Sequence, residues 1–269
     1  MPEGKIVVRG LVRAVPIFLH SFVVESATAA AIAQCINVVH YSITAVAVIS
    51  DNAPAMLAAT NQIFTQHATV LPLRCAAHVM NLIIKDFFKS VEFVKNCLDI
   101  LEEYISRKIV NRYCETRWNS VFDRLKDLSV YLYGKDNDVE MRYYAHVQHV
   151  SEALQPFIDV LNVAQADGAD WVSFYQAFSD AVTVSVSSGF DGIAAAAERR
   201  RYMVHNEIVA LHQFLSGRDL QGEEEGRLSR WLQSLGVGEF CNLCGRSGIS
   251  WCGSGYTTTT SPFCHSQTA

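Results

Sequence analysis

The run Thr44-Ala45-Val46-Ala47-Val48-Ile49-Ser50 constrains the fold more than any other segment. Its side chains are small or β-branched throughout and do not alternate with polar ones, the pattern of a strand buried on both faces. Such a strand belongs inside a helix-covered sheet, because a solvent-facing strand carries polar residues at every second position. Asp51 ends the run. Pro54 then stands where a first helical turn tolerates proline, and Met56, Leu57, Ile63 and Phe64 mark a helix at 3.6-residue spacing. Val70 to Leu73 reads as a second short strand. From Cys75 one long helix is expected as far as Ile105, because Val79, Leu82, Ile83, Phe87, Val91, Val94, Leu98 and Leu101 keep one apolar face. The order strand, helix, strand, helix predicts an α/β unit with a mainly parallel or mixed sheet flanked by helices.

Upstream, Ile6 to Val24 suits two short strands with a turn, interrupted by Gly10 and Pro16. Ser26 is then a plausible cap for a helix through Ile32, Cys35, Ile36 and Val39 to His40. Downstream of Asn111 the pattern turns helical, through Val121 to Tyr133, Met141 to Val163, Val172 to Val182 and Ile193 to Leu215. From about Ser234 the chain is rich in Gly, Ser, Thr and Cys with no apolar period, and a poorly ordered tail is expected. The organisation read from the sequence is therefore an α/β unit over 1–110, an all-α region over 111–233 and a tail over 234–269.

Composition narrows the function classes. Half of the 269 residues are apolar and 18% are charged, enough to bury a sizeable core. A formal charge of −5 gives no overall pull towards a phosphate backbone, so any nucleic-acid contact must be local. No apolar run reaches the roughly 20 residues needed to cross a bilayer, so no membrane partner is expected. Met1-Pro2-Glu3-Gly4-Lys5 lacks the basic-then-apolar pattern of a secretory signal, which predicts an intracellular protein with reduced thiols.

Three blocks share the order and spacing of one family. Ala47 to Met56, Ala-Val-Ile-Ser-Asp-Asn-Ala-Pro-Ala-Met, resembles the strand end "V-V-T-D-N-A-x-N-M" of hAT transposases and their relatives grouped as DUF family 659. Cys75 to Asp86, Cys-Ala-Ala-His-Val-Met-Asn-Leu-Ile-Ile-Lys-Asp, is similar to that family's "C-A-A-H-x-L-N-L-x-x-K-D" signature. Glu115-Thr116-Arg117-Trp118-Asn119-Ser120 looks like the "T-R-W-x-S" block that opens its helical insertion. The resemblance covers about Pro16 to Asp127 well and continues loosely to about Gln221. It implies a partial RNase H-like core with an all-α insertion, DNA as partner, a nuclear location and a possible homo-oligomer. It also implies Mg²⁺ held by two Asp and one Glu, since two hard cations about 4 Å apart stabilise both the attacking and leaving oxygens of phosphoryl transfer.

On that resemblance Asp51 is the candidate catalytic residue and metal ligand, at a strand end where open α/β sheets usually bind ligands. Asn52, Cys75, His78, Asn81, Arg117 and Trp118 are carried over as signature residues with a structural or DNA-end-organising role. The first Asp has no counterpart, because no aspartate precedes Asp51 and Glu3 and Glu25 are poor substitutes. Glu198-Arg199 superficially matches the setting of the last Glu, but Ala197 and Arg201-Tyr202 do not continue it, and a charged residue on a helix is usually solvated. Mg²⁺ is therefore expected to be non-functional here.

Zinc is not expected either. Cys75 and His78 supply half a site, and in the tail Cys241-x-x-Cys244 is a close pair as in a zinc ribbon, but Cys252 and Cys264-His265 are spaced too widely for the second pair. Arg107, Lys108, Arg112, Arg117, Arg124 and Lys126, with Tyr113 and Trp118, form a basic cluster that could track DNA, but Glu102, Glu103, Glu115, Asp123 and Asp127 nearly cancel it. The leading expectation is a transposon-derived transposase fragment, inactive as the chain stands. The alternatives are a domesticated interaction or dimerisation module, and a Mg²⁺-dependent nuclease with an unrecognised metal site.

Overall fold

The structure is a computed structural model that describes residues 4–12, 15–24, 28–42, 47–113, 118–166, 169–218, 220 and 222–235. It opens with an antiparallel hairpin of β1 (Gly4–Val12) and β2 (Val15–Val24), irregular between Val8 and Arg9. Gly10 and Pro16 lie within these strands instead of interrupting them. A two-stranded ribbon has no inner strand, so proline's missing N–H can face an open edge.

Helix α1 (Ala29–Ser42) follows, and Thr28 takes the capping place expected of Ser26, its Oγ1 accepting from Ala31 N at 3.3 Å. Ser26 lies outside the described residues.

Next come β3 (Ala47–Ser50), α2 (Pro54–Gln66) and β4 (Leu71–Arg74), with the strands parallel in register from Ala47 opposite Leu71 to Ser50 opposite Arg74. Pro54 occupies the first turn of α2, where its lost donor has no helical partner to miss. Ile32, Ala33, Ala59, Ile63 and Val70 form a small core between α1 and α2, and Val48 packs against it. The two strand pairs are separate two-stranded sheets among the described residues, so the expected single mixed sheet is not formed there. Burial of β3 on both faces is also not met, because Ile49 is 54% exposed. The exposure is local to β3, since Leu73, the register partner of Ile49 on the same face, and Leu71 are both buried.

The helical part is larger. It comprises α3 (Ala76–Ser90), α4 (Glu92–Ser106), α5 (Trp118–Leu132), α6 (Asp138–Gln165), α7 (Trp171–Ser187), α8 (Asp191–Val204), α9 (Glu207–Leu215) and α10 (Glu223–Ser234). The single long helix expected from Cys75 to Ile105 breaks at Val91, which adopts an extended backbone with φ −115° and ψ 112°. Nothing in composition marks that break, because both helices bury their apolar faces in one core and the periodicity runs on through it. Gly192 of α8 lies against the junction, and a Cβ there would meet Val91 Cγ2 at 2.9 Å.

The Ile193 to Leu215 helix likewise divides at His205 and Asn206. Asn206 caps α9, its side chain accepting from Ile208 N at 3.0 Å and Val209 N at 3.2 Å. Helix α10 was not anticipated. Its first turn carries Glu223, Glu224 and Glu225, favourable against the helix dipole, and Leu228 and Leu232 bury one face against Ala210 and Leu220.

One continuous apolar cluster joins α3 and α4 to α5 through α9, with Met80, Leu101, Leu125, Phe157 and Phe178 all fully buried. It runs across residue 110. Pro156 inside α6 gives no hydrogen bond to the carbonyl of Glu152, yet the helix continues because Phe157, Leu154 and Leu161 around it are held by this core. No described helix is long and apolar enough to cross a membrane. The tail, 236–269, lies outside the described residues.

Phe157→Ala should lower stability by about 3–5 kcal/mol through loss of burial and cavity formation, read as a shift in the urea midpoint at constant slope. Burial pushes the Cys97 thiol up to about 12, so Cys97 should resist iodoacetamide at pH 8 in the native protein and react once denatured.

Candidate functional site

Two of the three sequence blocks, those at Asp51 and at Cys75, meet at the carboxyl end of the parallel pair. Asp51 follows the last residue of β3 and is exposed to solvent, with its Oδ1 accepting from Ala53 N at 3.0 Å. That short loop is an aspartate turn, the conformation Asp favours when a strand must hand over to a helix within a few residues. Leu57 N then donates to Ala53 O at 3.0 Å, starting α2.

Across the register Arg74 ends β4, and its Nη1 donates to Asn52 Oδ1 at 2.7 Å. Cys75 N donates to Ser50 O at 2.7 Å, and Cys75 is at once the last link of the sheet and the N-cap residue of α3. The structure thus brings together Asp51, Asn52 and Cys75. His78 is half-buried in the first turn of α3, and Asn81 lies three residues on, within the next turn. The Asn81 Oδ1 is buried without a hydrogen-bond partner. Arg117 lies outside the described residues, and Trp118 is placed as the first residue of α5.

Other candidates are occupied elsewhere. Glu198 forms a two-pronged pair with Arg201, at 2.7 Å for each contact, and these hydrogen bonds hold its carboxyl below the ordinary range. Arg201 in turn donates to Tyr175 Oη at 3.1 Å and Ser179 Oγ at 3.3 Å, so the pair fixes α8 against α7. In the basic cluster, Arg107 pairs with Glu103 at 3.3 Å and lies over the Tyr104 ring, Arg124 pairs with Asp127 at 2.5 Å, and Lys126 lies over Phe122. Ion pairing thus offsets the charge of Arg107 and Arg124. Among the described residues no group of three His, Cys, Asp or Glu is arranged to hold a metal ion. Cys241, Cys244, Cys252, Cys264 and His265 lie outside them.

Two contacts escaped the sequence reading. Arg74 precedes the signature block and its only signal is position, a lone cation between a buried strand and a helix start. Asp86, the last residue of that block, pairs with Arg200 at 2.6 Å and so ties α3 to α8 across 114 residues of sequence. No local pattern could announce a partner at such a separation.

With this geometry in hand, comparison with known proteins adds no family: no family model matches the chain, and no curated protein matches it.

The Asp86–Arg200 pair is partly shielded, with side chains 29% and 20% exposed. A double-mutant cycle of Asp86→Asn and Arg200→Gln should give a coupling of about 0.5–1 kcal/mol by chemical denaturation; a coupling near zero would make the contact incidental.

Proposed function

We propose that the chain is a transposase fragment of the hAT-like type, with a partial RNase H-like core, descended from an enzyme of DNA cleavage and strand transfer and inactive as it stands. The observation that carries this reading is the place of Asp51, at the carboxyl end of a parallel strand, beside a helix start and one register step from the Cys75 block. In that ancestry Asp51 is one ligand of a divalent-metal site and DNA is the partner, which makes the nucleus the expected compartment. The reading of inactivity is supported by chemistry. Phosphoryl transfer by two hard cations needs several converging oxygen ligands, and residues 1–50 hold no aspartate to match the family's first one. Glu198 is engaged by Arg201 and does not supply such a ligand.

The second reading, a domesticated interaction or dimerisation module, is favoured by the apolar surface where α5 ends and α6 begins. Val130 and Tyr133 are 77% and 74% exposed there, with Val139 and Met141 also open. Val130 and Tyr133 are three residues apart, and apolar side chains exposed together are what an association site offers.

Incubation of supercoiled plasmid with the protein and Mg²⁺ should give no nicked circles, for wild type and Asp51→Ala alike, while a mobility shift reports any retained DNA association. Metal-dependent nicking abolished by Asp51→Ala would restore an active enzyme and overturn the inactive reading. Sizing chromatography of wild type against Tyr133→Asp tests the interaction module, for which a dimer lost in the variant is expected.

A further inference from the structure

His205 stands at the break between α8 and α9, buried at 6% exposure. Its backbone N–H donates to Arg201 O at 3.0 Å, and its carbonyl accepts from Arg227 Nη2 of α10 at 3.4 Å. The ring lies T-shaped to Tyr175 of α7, with centroids 5.2 Å apart. Both ring nitrogens face oxygen. Nε2 is 3.0 Å from Gln213 Oε1 of α9, and Nδ1 is 3.4 Å from Glu224 Oε1 in the first turn of α10.

A neutral imidazole has one N–H, so it donates to one of these oxygens and sets a lone pair against the other, whereas an imidazolium donates to both. The contact to Glu224 is an ion pair only while the ring carries its second proton. The cations nearby are already matched: Arg227 of α10 pairs with Glu207 of α9 at 3.7 Å, and Arg201 of α8 is held by Glu198, Tyr175 Oη and Ser179 Oγ. Among the described residues Glu224 makes no ion pair other than the one with His205. Glu223 and Glu225 share its helical turn and add negative charge, and His212 of α9 is exposed.

Little else holds α10. Its apolar side, Leu228 and Leu232, packs with Ala210 and Leu220 in a small cluster apart from the main core. At its far end Ser234 Oγ donates to Ala68 O at 3.0 Å, on the turn between α2 and β4. Helix α10 therefore spans from the α8–α9 break to the strand unit.

We propose that His205 is a pH-operated latch on α10: the imidazolium joins Gln213 to Glu224 and holds the helix against α9, and loss of the proton loosens it. The hold is complete where Glu224 is ionised and the ring is protonated, and it fades as pH rises through the range in which histidines ordinarily titrate, near ~6.5. Loosening of α10 also weakens the Ser234 contact to the α2–β4 turn. The latch uses neither Asp51 nor the Cys75 block, so it stands apart from the transposase reading.

Hydrogen exchange of the full chain, read by mass spectrometry with the chemical pH dependence of exchange divided out, tests it. Relative to α6, protection of α10 is expected to fall about threefold to fivefold between about pH 5.5 and about pH 8, the population change that one partly shielded ion contact makes. The fall is expected to vanish in Glu224→Gln and in His205→Gln. Equal relative protection at the two pH values overturns the latch and assigns Gln213 the reversed amide, donating to a neutral ring that donates to Glu224. A fall of full size that persists in either variant overturns it as well. Should His205→Gln fail to fold, Glu224→Gln decides alone, since that side chain is 41% exposed and its loss leaves the core intact.

Discussion

Helix α3 is the element on which the rest depends. It starts with a backbone hydrogen bond to the end of β3 and then buries Val79, Met80, Ile83, Ile84, Phe87 and Phe88 in the helical core. Among its described residues only Lys85 and Lys89, four residues apart, give this helix an exposed stripe, and the rest of its circumference must be covered by neighbours. That requirement recruits α4, α5, α6 and α8 around it, and the Asp86–Arg200 pair fixes one of those contacts at the rim. The same helix therefore positions its own first turn, with Cys75 and His78, at the sheet end. Geometry at the candidate site is inherited from packing far from it.

Much of this was legible in the sequence because local chemistry and tertiary demand agree. The unbroken β-branched run before Asp51, Pro54 at a helix start and the period through Val79 and Ile83 each have one structural solution, and the α/β order followed from them. What was not legible depended on distant partners. The break at Val91 carries no Gly or Pro, since both helices serve one core and the stripe never falters. Ile49 reads as buried because its side chain is apolar, yet burial is decided by what lies opposite, and Leu73 beside it in the register is covered while Ile49 is not. At the site, Asp51 and Asn52 could be singled out by position after a strand, whereas Arg74 could not, because its role rests on register across β3 and β4.

A divalent-metal centre is built on gathered carboxylates. Such a centre concentrates negative charge and lets the ion neutralise it. Here the Arg74 guanidinium is turned to Asn52 Oδ1 and the Asp51 carboxylate to Ala53 N. Asp51 also closes a turn, a task that any residue able to accept from Ala53 N would perform.

The separation of the apolar clusters has a consequence for how the molecule comes apart. Ile32, Ala59 and Ile63 close a small core of their own, distinct from the one around Phe157 and Phe178. The free energy of opening each is set by different burial, so the smaller one can breathe without the larger. Amide protons of α1 and α2 would then exchange with solvent on a faster clock than those of α6 and α7, and a protease would find its first cut on the strand side of Cys75.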